Sequence, residues 1–143
     1  MIPRTMKAVL LKGHGGLEQL EYRDDVPVPT PAAGEILVKI GAAAVNNTDI
    51  NTRIGWYSKS VATATADAVV QTANEATDGG WAGNPFVFPR IQGTDVCGRI
   101  VAVGAGVSQA RIGERVLVDP VLRPADASLE NVGYVGLERD GGF

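Results

Sequence analysis

Gly93-Thr94-Asp95-Val96-Cys97-Gly98 runs directly into Arg99-Ile100-Val101-Ala102-Val103-Gly104. Two glycines bracket one acid at the entrance to a Val/Ile-rich run, which reads as a strand over 97–104. Glycine there permits tight backbone geometry. By spacing alone the acid belongs to a tight turn, solvated or capping, with a pocket-facing carboxylate as the alternative. A second strand at 115–119 follows, across Gly104-Ala105-Gly106-Val107 and Ile112-Gly113-Glu114. Upstream, the apolar run 6–12 stops at Gly13-His14-Gly15-Gly16. Residues 17–23 alternate Leu20 and Tyr22 against Glu21 and Arg23, the pattern of a half-buried strand. Pro27, Pro29 and Pro31 make 26–31 an extended connector. Residues 36–44 read as a long strand, and a weak one is expected near 132–137. With 18 glycines and 8 prolines dividing short Val/Ile runs in 143 residues, the expectation is a mainly β domain. Five or six strands would close into a barrel or sandwich, with one or two helices.

Composition narrows the function classes. A chain of 143 residues suits one domain, and 45% apolar residues allow a globular core. The formal charge of −3 has no basic run behind it; Lys39, Arg53, Arg90 and Arg99 are scattered, so no nucleic-acid partner is expected. No apolar stretch approaches the ~18 residues of a membrane helix, and the N-terminus lacks the apolar core of a secretory signal. A single cysteine, Cys97, forms no internal disulfide. These features point to the cytoplasm.

A polar junction, 45–57, comes directly after the long strand. Asn46, Asn47, Thr48 and Asp49 suit an N-capped entry into a helix; the other reading is that adjacent amides and a hydroxyl orient a carbonyl substrate or a cofactor amide. Residues 59–79 carry apolar side chains at roughly helical spacing and predict a helix ending at Gly79-Gly80; 81–89 reads as a loop. His14, the lone histidine, sits in a glycine-rich turn and reads as solvated. Cys97 reads as a buried structural thiol, and Trp56 and Trp81 as packing residues.

Taken in order, Met6-Lys7-Ala8-Val9, Gly34-Glu35-Ile36-Leu37-Val38, Asn46 to Asp49, the glycine-flanked Asp95 and Gly113-Glu114-Arg115-Val116 resemble the start of the catalytic domain of medium-chain dehydrogenases/reductases. The resemblance covers 6–143 except 58–84, which looks like an insertion. It implies a GroES-like, partly open β-barrel. Zinc alcohol dehydrogenases of that superfamily carry a catalytic Cys at the position of Asn46, a His at that of Thr94, and four cysteines after the Gly-Glu-Arg-Val segment. This chain has none of these, and an amide and a hydroxyl are poor zinc ligands; no metal is expected. The resemblance is closer to the zinc-free quinone oxidoreductase branch.

That resemblance implies hydride transfer from NAD(P)H to a quinone or conjugated carbonyl, with hydrogen bonds polarising the acceptor. The implied catalytic residues are Asn46, Thr48 and Tyr57. Asn46, Asn47 and Arg53 are candidates for cofactor contact, although a structural role suits Arg53 better. Asp49, Thr94 and Asp95 brace the site. Gly104-Ala105-Gly106 supplies only two glycines of a phosphate-binding turn, with no helix or ribose-binding acid after it. The nucleotide-binding domain is therefore expected beyond Phe143, the chain alone is expected to be inactive, and a barrel edge is expected to be covered by the terminal segment, by solvent or by another copy in a homo-oligomer. Two further classes remain open: a stand-alone GroES-like binding module, and a zinc alcohol dehydrogenase with altered ligands.

Overall fold

The computed structural model describes residues 1–62, 78–80, 85–123 and 132–143. Among them lie eight strands: β1 (Thr5–Leu11), β2 (Leu20–Pro27), β3 (Ile36–Ala44), β4 (Arg90–Ile91), β5 (Asp95–Val103), β6 (Arg115–Leu117), β7 (Val121–Leu122) and β8 (Gly133–Tyr134). One α-helix, α1 (Asn47–Arg53), and short 3-10 turns at Leu17–Gln19 and Gln109–Arg111 complete the described elements. The sheets are antiparallel, in the orders β2-β1-β4, β3-β5-β6 and β7-β8. The described elements are mostly antiparallel strands with a single short helix, the mainly β domain expected from the sequence. The helix expected over 59–79 and Trp81 fall largely outside the described residues.

The β3–β5 ladder carries the fold. Ile36 lies opposite Val103 and Ala44 opposite Asp95, with register shifts at Leu37/Val38 and Ile40/Ala42. Each shift lets β3 bend and twist more strongly than a regular strand. Gly98 sits where the two backbones come closest: a Cβ there would strike the Lys39 carbonyl and lie 2.8 Å from Val38 Cγ1. Side chains of one parity on β5, Val96 and Ile100, are buried and join Ala8, Leu11, Ile54, Ile91 and Leu137 in the core. The opposite parity carries Cys97 and Arg99 outward. Cys97 is therefore half-buried and not a core thiol, a correction to the sequence reading.

Two other expectations change. The 17–23 segment opens as a 3-10 turn, and the strand proper begins at Leu20. Neither face of 20–23 is buried: Tyr22 is 64% exposed, Leu20 and Arg23 are exposed, and Glu21 is half-buried. Among the described strands, β2 pairs only with β1. The boundaries of β3 coincide with the predicted 36–44.

The terminal segment runs beside β4. Gly141 N donates to Ile91 O (2.7 Å), Phe143 N to Gln92 O (3.1 Å) and Gly142 N to Gly93 O (3.1 Å), while Phe143 O accepts from Val9 N (3.1 Å). Asp140 Oδ1 also accepts from Ile91 N at 3.1 Å. Residues 140–143 thus cover the edge leading into β5.

If the close approach at Gly98 sets the β3–β5 register, Gly98→Ala should lose about 1–3 kcal/mol in urea denaturation, the usual cost of forcing extra volume into a tight contact. Gly106→Asn is the control. Gly106 has φ +82° and open space around a Cβ, and Asn tolerates the left-handed region, so its midpoint should stay near that of the parent.

Candidate functional site

Strand β3 ends at Ala44, and the chain turns into α1 at Asn46. Asn46 is extended (φ −110°, ψ 159°) and forms the N-cap. Its Oδ1 accepts from Thr48 N at 3.2 Å. In return Asp49 Oδ2 accepts from Asn46 N at 2.9 Å, completing a capping box. A seven-residue helix is too short to persist by its own propensity, so the cap and the contacts below it fix where it starts.

Asp49 does more than cap. Its Oδ1 accepts from Gly93 N (3.0 Å), and its carbonyl accepts from Gln92 Nε2 (3.0 Å). One carboxylate therefore joins the start of α1 to the turn that opens β5. Asp49 is buried, with 4% exposure. Burial raises its pKa above the usual aspartate range, and the N–H groups of Asn46 and Gly93 pull against that rise. Gln92, also buried, was not singled out by sequence; a polar residue between Ile91 and Gly93 in an apolar setting is the only local signal for it.

The remaining amide group of Asn46 points across the gap: Nδ2 donates to Asp95 Oδ2 at 2.8 Å. Asn46 and Asp95 are exposed. Thr48 is half-buried, its Oγ1 3.4 Å from Asn46 Oδ1. Thr94 lies one residue before Asp95 and is buried, and its Oγ1 has no hydrogen-bond partner among the described residues. Asn46, Thr48, Asp49, Thr94 and Asp95 are thus brought together where α1 meets β5. Asn47 is the first helical residue and is exposed.

Arg53 and Tyr57 stand at the other end of the helix. Arg53 Nη1 donates to Gly15 O at 2.6 Å, and the Arg53 carbonyl accepts from Gly15 N at 2.8 Å. Its guanidinium is engaged in tying α1 to the Gly13–Gly16 turn. Tyr57 is half-buried, edge-on to Trp56 with ring centroids 5.6 Å apart, which gives Trp56 a packing contact.

His14 departs from the sequence reading: it is buried, with 5% exposure. The residues around it decide this. Thr52 O lies 2.7 Å from Nδ1, and Phe88 stands edge-on at 4.9 Å between centroids. A local pattern of glycines gave no sign of partners 38 and more residues away.

The donor set at 46 and 94 is an amide, engaged by Thr48 N and Asp95, and a hydroxyl. Neither matches the thiolate and imidazole that hold zinc. Among the described residues no three His, Cys, Asp or Glu side chains cluster closely enough to hold a metal ion.

Residues 32–143 match the family of alcohol dehydrogenase GroES-like domains, and the chain belongs to it, within the medium-chain dehydrogenase/reductase superfamily. It is 32% identical to the starvation-sensing protein RspB of Escherichia coli K12, over 96% of this chain and 34% of that protein. Against the quinone oxidoreductase of Rattus norvegicus it is 31% identical, over 79% of this chain and 27% of the other. Among solved structures, one from Sinorhizobium meliloti 1021, assigned to the alcohol dehydrogenases, superposes with a TM-score of 0.78 at 49% identity, covering 99% of this chain and 37% of that one. The RspB dehydrogenase of E. coli CFT073, complexed with NADH, gives 0.68 at 27% identity, with 99% and 35% covered. The chain spans about a third of the length of these relatives.

If Asp49 holds the site together, Asp49→Asn should cost about 1–3 kcal/mol, because its NH2 group would face one of two backbone donors left without an acceptor. Thr94→Val should shift stability by less than about 0.5 kcal/mol, since the hydroxyl makes no bond that valine would forfeit. Urea denaturation of both variants against the parent reads the contrast.

Proposed function

We propose that this chain is the substrate-side domain of an NAD(P)H-dependent oxidoreductase that reduces a quinone or conjugated carbonyl without zinc. The observation that carries the reading is the Asn46–Asp95 pair at the α1–β5 junction, with Thr94 beside it, where zinc-dependent members of the superfamily place thiolate and imidazole. Quinone oxidoreductases among the relatives and the NADH complex of a homologous structure support it. The bound nicotinamide would supply the hydride.

The residues of this chain bind and orient. The Asn46 amide has two N–H groups; one goes to Asp95, leaving the second for an acceptor oxygen. Asp95 fixes the amide's orientation, so the group is set before substrate arrives. Tyr57 adds a phenolic O–H. Thr48 would donate to an oxygen or relay a proton, and Asn47, exposed at the first turn of α1, would contact the nicotinamide amide when the cofactor is bound. Asp49 and Asp95 position the loops, and Thr94 packs beside them. Arg53, engaged by Gly15 O, serves structure first. The substrate is a small molecule and the compartment the cytoplasm. Among the described residues no helix is long and apolar enough to cross a membrane. Copies of the chain would meet, if at all, through a sheet edge.

The whole protein, carrying its nucleotide-binding part, should oxidise a reduced nicotinamide with a quinone or enone at an undiminished rate after dialysis against a chelator; the 143-residue chain should show no turnover. Asn46→Ser keeps an N-cap oxygen but removes the amide donor, and should lower kcat/KM about tenfold or more. Activity that disappears with chelator and returns with zinc would overturn the zinc-free reading.

A further inference from the structure

His14 is the one buried histidine that the proposed reaction does not use. Its Nδ1 lies 2.7 Å from Thr52 O. A carbonyl only accepts, so Nδ1 carries the proton and Nε2 is a bare acceptor. Nε2 is buried and has no partner among the described residues. Three separate pieces of chain close on the ring. Phe86 and Phe88 pack at 5.9 and 4.9 Å between centroids. A Cβ at Gly55 would come within 3.3 Å of Cγ, and a Cβ at Gly79 would fall on Nε2 itself. Gly55, Gly79 and Gly80 are buried. The ring thus fills a slot shaped by glycines and lined by aromatic faces.

We infer that His14 is an acid-sensitive latch: as neutral imidazole it clamps Asp78–Gly80 and Phe86–Phe88 onto the Gly13–Gly16 turn and the C-terminal end of α1, and protonation at Nε2 releases them. An added proton at Nε2 becomes an N–H donor beside Gly79, with no acceptor for it among the described residues, and a buried cation without a partner is costly. The charged groups around the latch are engaged elsewhere. Asp78 faces His14 and attracts a positive ring, but its Oδ1 accepts from Ser58 Oγ at 2.6 Å and its Oδ2 from Lys59 N at 3.1 Å. Arg53 turns its guanidinium to Gly15 O. Glu18, on the same turn, accepts from Gly16 N at 2.7 Å. Phe86 and Phe88 carry no charge. Burial outweighs the attraction of Asp78 and the backbone carbonyls, so the His14 pKa falls below its ordinary value of 6.5.

Because the closed-state value is depressed, the clamp is at full strength above pH 6.5, weakens as pH falls below it, and stops weakening once His14 protonates in the closed state. Each pH unit inside that window raises the opening constant about tenfold. Asp78 holds Ser58 and Lys59, which directly follow Tyr57, so opening acts next to Tyr57 in the chain.

Native-state hydrogen exchange on the 143-residue chain at about pH 7.5 and 5.0, corrected for intrinsic rates, tests this. Protection at Gly79, Gly80 and Phe88 should drop severalfold at the lower pH while β5 amides such as Ile100 and Val101 keep theirs. His14→Phe fills the slot with a ring that does not titrate, and His14→Asn keeps a donor near Thr52 O without titrating; both should abolish the pH effect. The inference is overturned if protection at those amides is unchanged in the parent, if the drop persists in either variant, or if β5 loses protection in step, which would mean global unfolding.

Discussion

A single buried carboxylate organises this domain's functional end. Asp49 accepts from Asn46 N on one oxygen and from Gly93 N on the other, so the start of α1 and the turn into β5 are held by the same group. Asp49 and Gly93 are 44 residues apart in sequence, and no direct backbone ladder joins them there. The α1–β5 end of the site sits on this bridge: Asn46 is placed by it, Asp95 lies two residues after Gly93, and Gln92 reinforces it through the Asp49 carbonyl. Burying a carboxylate is costly unless its oxygens are satisfied, and here two backbone donors supply that satisfaction.

The bridge explains why the Asn46–Asp95 pair is directional. An exposed amide on a free loop would sample many orientations. Here the Asn46 backbone is fixed by the capping box, its Oδ1 is turned inward to Thr48 N, and its Nδ2 is turned to Asp95. What is left is one N–H with a defined direction, in a position that carries a metal ligand in zinc-dependent members of the superfamily. A preset donor of this kind polarises an oxygen without reorganising, which is the physical core of the proposed metal-free chemistry.

Much of the fold was legible because it depends on local pattern. The 36–44 run is apolar, free of proline and bounded by Gly34 and the polar junction, and β3 takes those limits. The N-capped helix entry at Asn46 was readable from side-chain chemistry alone. Other features depended on distant partners. Leu20 and Tyr22 alternate as a buried face should, yet β2 has one neighbour among the described strands and neither face of 20–23 is buried. Cys97 sits among apolar residues, but its parity, opposite to that of the buried Val96 and Ile100, sends it outward. His14, flanked by glycines, is indistinguishable in sequence from a solvated turn; Thr52, Gly79 and Phe88 bury it from afar. At the site, Asn46, Thr48, Asp49, Thr94 and Asp95 lie together where α1 meets β5, whereas Arg53 and Tyr57 stand at the far end of the helix; the engagement of Arg53 with Gly15 and the part played by Gln92 came only with the tertiary structure.

An NMR titration that follows the Asp49 side-chain carboxyl carbon together with the Asn46 and Gly93 amide resonances tests the bridge most directly. The account predicts that both amides shift in step with the Asp49 carboxyl, with one shared midpoint above the usual aspartate range. Amides that ignore the Asp49 titration, or a midpoint at or below that range, would contradict it.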